Sequence, residues 1–372
     1  MKVDDVLIVG ASYAGLACAH EASERGLSCR ILEGKKSASC KIRTTGILVK
    51  EAEQVFAFPQ RFLREIKGVR LYGPSLDYID LKSPGYSFHA ADTPGLMDWF
   101  STTVQAKGTK IEFAERFSHG SREGDVLELN KKYKARFVVG ADGARSQVAK
   151  QFGLSQNKKF LTGIEFEYLG IDYLDRDYLH VFIDSNIAPG YIAWVVPGVE
   201  MTQVGMAASY PHQLDMPALL NKLKPLHDFS HTPVMETRGG VIPVGGVLPK
   251  LGDDRVLLLG DAAGTVSPLT AGGIHKALEH GLRAAGFIDD YLQGRGEIPV
   301  AAMQPYYPNY RFKKLLRMMA DGPVPNSLLD EFVSSPVFRR FAQLVFFHHR
   351  GLFSREAWGE VMSSRPLPTG RR

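Results

Sequence analysis

The sequence predicts an α/β protein: a Rossmann-like parallel-sheet domain, an antiparallel β-sheet domain inserted into it, and a helical C-terminal region. Three observations predict it. A short apolar run, Val6–Val9, leads through a glycine-bearing turn into a helical pattern. Two more buried-strand patterns, Phe137–Val139 and Val256–Leu259, each end in a turn carrying glycine and aspartate. Between those two, Ile164 to Val244 reads as successive strands separated by turn residues. At 372 residues the chain suits two or three domains.

The opening stretch VLIVGASYAGLACA covers Val6 to Ala19. Val6–Val9 is a continuous apolar run, the pattern of a strand buried on both faces. From Ala14 to Arg25 the apolar residues recur at helical spacing, and Gly26 ends the helix. Cys29–Leu32 is a second buried strand, closed by Glu33, an acid about 20 residues after the glycines. Gly10 permits a tight turn and Gly15 lets the helix pack close to the sheet. The helix N-terminus, from Ala14, then aims free N–H groups at a pyrophosphate, and Glu33 can accept hydrogen bonds from a ribose diol. The usual spacing is G-x-G-x-x-G, and Ser12 stands at its middle glycine. A serine hydroxyl can itself donate to a phosphate oxygen.

FVVGADGARSQVAK, Phe137 to Lys150, has the same form: a strand, then Gly140, Asp142 and Gly143, then a helix opened by Arg145 and Ser146. In RVLLLGDAAGTVSPLTAGGIHKALEHGLRAA, Arg255 to Ala285, the strand ends in Gly260 and Asp261. A loop with Pro268 leads to Gly272 and Gly273, and a long amphipathic helix follows from Ile274. Either aspartate alone could serve only to cap a helix or a turn. Three such turns at the ends of three buried strands point to one nucleotide site.

After the third turn, MQPYYPNYRFKKLLRMMADG and PVFRRFAQLVFFHHRGLF are helical and basic, with Arg311, Lys313, Lys314, Arg317, Arg339 and Arg340. Phe338, Phe341, Leu344, Val345 and Phe353 would form an apolar face. A lid, an interfacial helix that touches a membrane surface, and a cap packed on the nucleotide-binding domain all fit this pattern. His348 and His349 adjoin each other and cannot share a helix face, so no metal site is expected. The expected division is 1–75, 90–160 and 250–295 for the nucleotide-binding domain, 76–89 and 161–249 for the sheet domain, and 296–372 for the helices.

Composition narrows the classes. The chain is 44% hydrophobic and 23% charged, ordinary values for a globular protein. A net charge of +5 is too small to call for nucleic acid. Three cysteines, Cys18, Cys29 and Cys40, form no Cys-x-x-Cys pair and fit a reducing compartment. No signal-peptide pattern opens the chain and no run is long and apolar enough to span a bilayer, so the expectation is a cytoplasmic protein. The sequence does not set an oligomeric state.

The three turns, in this order, resemble those of the FAD-binding aromatic hydroxylases and geranylgeranyl reductases. That resemblance implies a glutathione-reductase-2-type, aromatic-hydroxylase-like fold with FAD as cofactor. It implies that Glu33 binds the adenosine ribose and that Asp142 and Gly143 meet FAD and a nicotinamide. It further implies that Asp261, after Gly260, binds the ribityl chain, and that Gly272, Gly273 and Ile274 present N–H groups to flavin N1 and C2 carbonyl. The arginine usual before the helix around Leu96–Trp99 is replaced by Pro94 or Gly95, and Arg43 in KIRTTG is the substitute positive charge.

Two stretches are most similar to the geranylgeranyl reductases. APGYIAWVVPG, Ala188 to Gly198, resembles their Y-x-W-x-F-P segment, with Tyr191 and Trp194 spaced one residue wider and Val196 for the phenylalanine. SPLTAGGI, with Pro268, resembles their NPLTGEGI. Their glycine-rich Pro-Cys-Gly segment is absent; Cys40 is nearby but is followed by Lys41. The resemblance implies hydride transfer from reduced flavin to an apolar, isoprenoid-like alkene or lipid lined by Tyr191, Trp194 and Pro268. Tyr191, Cys40 and His275 are the proton-donor candidates. No second glycine-rich βαβ unit appears, so NAD(P)H or another electron donor docks transiently. Two other readings stay open: a flavin monooxygenase acting on an aromatic or apolar substrate through a C4a-hydroperoxide, and a non-catalytic lipid-binding protein on the same fold.

Overall fold

The computed structural model describes residues 2–171, 174–322 and 324–347. Val3–Val9 is the inner strand of a seven-stranded sheet, flanked in parallel by Cys29–Glu33 and Tyr133–Gly140. Lys110–Phe113 and Val256–Leu258 extend the parallel part, and two antiparallel strands, Gly120–Glu123 and Val126–Leu129, complete the sheet. Val6, Leu7 and Ile8 are fully buried because helices cover one face and the Leu127, Leu129 and Val148 cluster covers the other. Burial on both faces accounts for a continuous apolar run instead of an alternating one. The helix Tyr13–Glu24 packs on the long helix Ile274–Leu292 beneath this sheet.

The second sheet also has seven strands, in the order 234–243, 160–169, 201–209, 193–197, 178–182, 68–72 and 78–81. All its pairings are antiparallel except that of Tyr178–Phe182 with Gly68–Tyr72. Residues 68–72 therefore lie in this sheet and not with the nucleotide-binding strands, to which the sequence reading gave them. Phe88–Ala91, read from the sequence as its boundary, instead pairs with Ile47–Val49 and Leu63–Ile66 in a small three-stranded sheet. A short parallel strand beginning after one lysine, at Gly68, carries no alternation that would mark its partner.

The C-terminal helices Asn326–Ser334 and Pro336–Phe347 pack on the Tyr78–Leu81 edge strand, not on the nucleotide-binding sheet. Val333, Ala342 and Phe347 enter a core with Ile66, Val69 and Leu81. In the helix Arg311–Ala320 the basic residues divide: Lys313 and Arg317 are buried, while Arg311 and Lys314 are exposed. Arg317 donates to the Gly190 carbonyl and pairs with Asp321 at 2.9 Å, which ties the helix to the second sheet. His348, His349 and Phe353 lie outside the described residues.

Candidate active site

A cavity of about 1140 Å³ lies between the two seven-stranded sheets. The three turns of the nucleotide-binding sheet all open into it. At the first, Gly10 has φ +105°, a left-handed conformation, and a Cβ there would sit 2.3 Å from the Ala141 carbonyl oxygen. A Cβ on Gly15 would sit 1.9 Å from the Gly10 carbonyl oxygen, so this glycine sets how closely the helix approaches the turn. Ser12 has φ −122° and ψ −169°, extended backbone open to any residue. Its side chain is exposed on the cavity wall and caps nothing in the helix. The middle position of the motif therefore has no conformational need for glycine in this chain.

Glu33 closes the second strand with its carboxylate held by two backbone donors. Oε2 accepts from Ala11 N–H and Oε1 from Lys35 N–H, each at 2.8 Å. Asp142, at the second turn, does cap the following helix: Oδ2 accepts from the N–H groups of Gln147 at 2.6 Å and Val148 at 3.0 Å. Its other oxygen, Oδ1, is buried with no protein partner, and burial raises the carboxyl above its usual range. At the third turn Asp261 lines the cavity beside Gly272 and Gly273, and burial pushes it up to about 6. The helix Ile274–Leu292 starts there with no side-chain cap, so its first N–H groups face the cavity. An orphaned carboxylate oxygen, a second carboxylate without a protein donor, and two uncapped helix N-termini around one cavity fit a dinucleotide with diols and phosphates.

The remaining residues singled out from the sequence divide into two groups. Gly143, Gly260, Ile274, Arg43, His275, Tyr191 and Trp194 line the cavity with Ala14. Arg43 lies over Gly240 of the second sheet. His275 is buried, not an exposed helix residue, with Nε2 3.7 Å from the Glu279 carboxylate. Cys40 and Pro268 do not line the cavity. The Cys40 sulfur accepts from the Ser37 hydroxyl at 2.9 Å, and Pro268 is buried behind the loop. Burial pushes the Cys29 thiol up to about 12 and raises the Cys18 thiol well above its usual value, so both are inert.

One cluster in the cavity wall carries, apart from Trp194, no signal in the sequence. Glu165 Oε2 accepts from the Thr45 hydroxyl at 2.6 Å and from Trp194 Nε1–H at 2.8 Å. Arg238 pairs with Glu167 at 2.7 Å and stands 3.8 Å from Glu165 Oε1. Gln203 donates to the Thr45 carbonyl at 3.0 Å. In TGIEFEYL the acids alternate with Ile164, Phe166 and Tyr168, which reads as a strand with an acidic solvent face. The apolar face instead packs under Leu219 and Phe229, and both acids are buried, Glu165 on the cavity wall. Period-two alternation separates the faces without saying which one meets water.

These features define a dinucleotide-binding flavoprotein fold with its site between two sheets. The comparisons agree. The model of an FAD binding domain family matches residues 101–298, more than half of the chain, and a second FAD binding domain model matches residues 5–46. The chain belongs to the FAD binding domain family.

It is 28% identical to digeranylgeranylglycerophospholipid reductase 3 of Methanosphaera stadtmanae, over 90% of this chain and 91% of that one. It is 27% identical to the digeranylgeranylglycerophospholipid reductase of Methanocaldococcus jannaschii, over 76% of each. Its fold matches a geranylgeranyl bacteriochlorophyll reductase-like protein from Thermoplasma acidophilum with a TM-score of 0.80 at 20% identity, covering 96% of this chain and all of that one. The flavin-dependent brominase Bmp2 matches with a TM-score of 0.68 at 14% identity, over 96% of this chain and 94% of that one. The fold alone therefore does not choose between reduction and oxygen-dependent chemistry.

Proposed function

We propose that this FAD-dependent oxidoreductase saturates carbon–carbon double bonds of an apolar, isoprenoid-type lipid. The observation that carries the reading is the wall of the cavity opposite the nucleotide turns. Phe88, Leu179, Val181, Ile192, Val196 and Phe346 make a continuous apolar surface there, the chemistry a hydrocarbon chain needs. The relatives named as reductases of digeranylgeranyl lipids support it.

In this reading Ser12, Gly15 and the helix N-terminus around Ala14 hold the pyrophosphate of FAD, and Glu33 holds the ribose. Asp142 and Gly143 receive the cofactor with Arg43. Gly260 and Asp261 take the ribityl hydroxyls, and the N–H groups of Gly272, Gly273 and Ile274 stabilise negative charge on the reduced ring. Bound flavin supplies the hydride. NAD(P)H or another carrier docks transiently to reduce it. Tyr191 and Trp194 orient the chain; Pro268 supports the loop from behind.

Of the three proton-donor candidates, Cys40 stands outside the cavity. Burial raises the Tyr191 phenol far above its usual range, which makes it a poor acid. His275 lines the cavity and is shared with Glu279.

A lipid substrate has to leave its membrane. The outer face of the helix Arg311–Ala320 presents Leu315, Met318 and Met319 to solvent, on the same helix as the exposed Arg311 and Lys314. That pattern suits shallow contact with an anionic lipid surface. No helix among the described residues is long and apolar enough to cross a membrane. The test is anaerobic incubation of the reduced protein with a geranylgeranyl-chain lipid in vesicles, read by mass spectrometry. Gain of two hydrogens per double bond is expected; unchanged lipid at full flavin occupancy would overturn the reading.

A further inference from the structure

Saturating a double bond takes a hydride at one carbon and a proton at the other, and the cavity wall holds a group built to supply the proton. Glu165 is 4% exposed and lies on the Phe160–Leu169 strand, facing the cavity. Thr45 comes from the loop before the small sheet and also lines the cavity, half-buried. The 2.6 Å contact between Thr45 Oγ1 and Glu165 Oε2 lies in the range of short hydroxyl–carboxyl bonds. Trp194 Nε1–H fixes the same oxygen from the Ala193–Pro197 strand, and Gln203 fixes the Thr45 backbone. Glu165 Oε1 is buried with no hydrogen-bond partner among the described residues. The adjacent cation, Arg238, is engaged at 2.7 Å by Glu167.

We infer that Glu165 and Thr45 are the proton-delivery pair of this site, the Thr45 hydroxyl passing the proton of the buried carboxyl into the cavity. The inference rests on the alkene-reductase reading. As the hydride from reduced flavin reaches one alkene carbon, the Thr45 hydroxyl gives its proton to the other. Thr45 Oγ1 takes the Glu165 proton across the same contact, which in the protonated state runs from the Oε2 hydroxyl to Oγ1, the reverse of the donation from Thr45 to the carboxylate, and so frees the Thr45 O–H for the cavity. The C=C bond becomes C–C with two new C–H bonds, the flavin is left oxidised, and Glu165 is left as a carboxylate. Trp194 Nε1–H and Arg238, 3.8 Å away, stabilise that anion until water reprotonates it.

Three charged groups face the carboxyl: Arg238 from the Val234–Pro243 strand, which favours the anion, and Glu167 and Glu236, which oppose it. Burial dominates and raises Glu165 above the ordinary carboxylate range. The proton is therefore present below that raised value and is lost as pH rises through it. A carboxyl so placed is a better acid than the Tyr191 phenol, which burial also raises.

Infrared difference spectroscopy of the oxidised holoenzyme without substrate reads the proton directly. A protonated-carboxyl band that shifts in deuterium oxide is expected at pH values where free glutamate is ionised. Glu165→Gln should abolish it, and Thr45→Val should retain it. In single turnovers both variants should take up flavin and be reduced at the wild-type rate. Both should then saturate the alkene about 100-fold more slowly or worse. Thr45→Ser, which restores the hydroxyl, should stay within a few-fold of wild type. A holoenzyme without the Glu165 band, or a Thr45→Val protein that saturates alkene at the wild-type rate, overturns the pair. A wild-type protein that carries the band but saturates no alkene overturns the reading beneath the pair, and the two failures are told apart by the band.

Discussion

Replacing Ser12 by glycine restores the three-glycine spacing, yet it should weaken FAD binding. The usual reason for glycine at that position is backbone freedom or close approach. Here the backbone at Ser12 is extended, and the side chain faces the cavity without an intrahelical bond. The hydroxyl is thus free for a phosphate oxygen, and its removal forfeits one hydrogen bond, about 0.5–1.5 kcal/mol. That converts to roughly two- to twelve-fold weaker binding at about 1.4 kcal/mol per factor of ten. Ser12→Ala should lose the same amount, because the hydroxyl and not the backbone is at stake. Gly15→Ala is the contrast. Its Cβ would stand 1.9 Å from the Gly10 carbonyl oxygen, so the helix must retreat, at a cost of about 1–3 kcal/mol of stability. Titration of apoprotein with FAD, followed by flavin fluorescence, separates the cases. Ser12→Gly binding as tightly as the parent, or more tightly, would refute the reasoning.

Three further outcomes follow from the same geometry. Glu33→Gln keeps one acceptor oxygen but sets its amide N–H against Ala11 N–H or Lys35 N–H, both now held at 2.8 Å; FAD affinity should fall at least ten-fold, with apoprotein destabilised by about 1–3 kcal/mol in urea unfolding. Asp261 holds its proton in the folded apoprotein up to about pH 6, against 3.8 for the free group, so apoprotein stability should decline as pH rises between those values, and Asp261→Asn should remove that part of the slope while weakening FAD binding. Leu315→Lys combined with Met319→Lys should reduce sedimentation with anionic vesicles several-fold without changing the flavin spectrum, since both side chains are more than half exposed.

The nucleotide half of the site was legible in the sequence because its chemistry is local. Gly10, Glu33, Asp142 and Asp261 each sit at the end of a buried strand, Gly15 lies in the first turn of the helix that follows, and strand, turn and helix come within a few residues. The substrate half was legible as strands and, through resemblance alone, at Tyr191 and Trp194. Thr45, Glu165, Trp194 and Arg238 meet across separations of up to about 190 residues, fixed by pairing of the Phe160–Leu169 strand with its two neighbours. Nothing local distinguishes Glu165 from a solvated acid on an edge. The C-terminal helices were read as basic with one apolar face, whereas tertiary contacts turn Arg317 inward to Gly190 and leave methionines outside. Cys40 illustrates the converse error: closeness in sequence to Glu33 did not bring its sulfur to the cavity.

The most direct test of the central claim is a single turnover of the chemically reduced holoenzyme with a geranylgeranyl-chain lipid. It is run once under argon and once with isotopically labelled oxygen. The account predicts that under argon the flavin is reoxidised at the rate at which double bonds disappear, and that no label enters the lipid when oxygen is present. Flavin that stays reduced under argon, with a lipid altered only after oxygen is admitted and carrying the label, would contradict it.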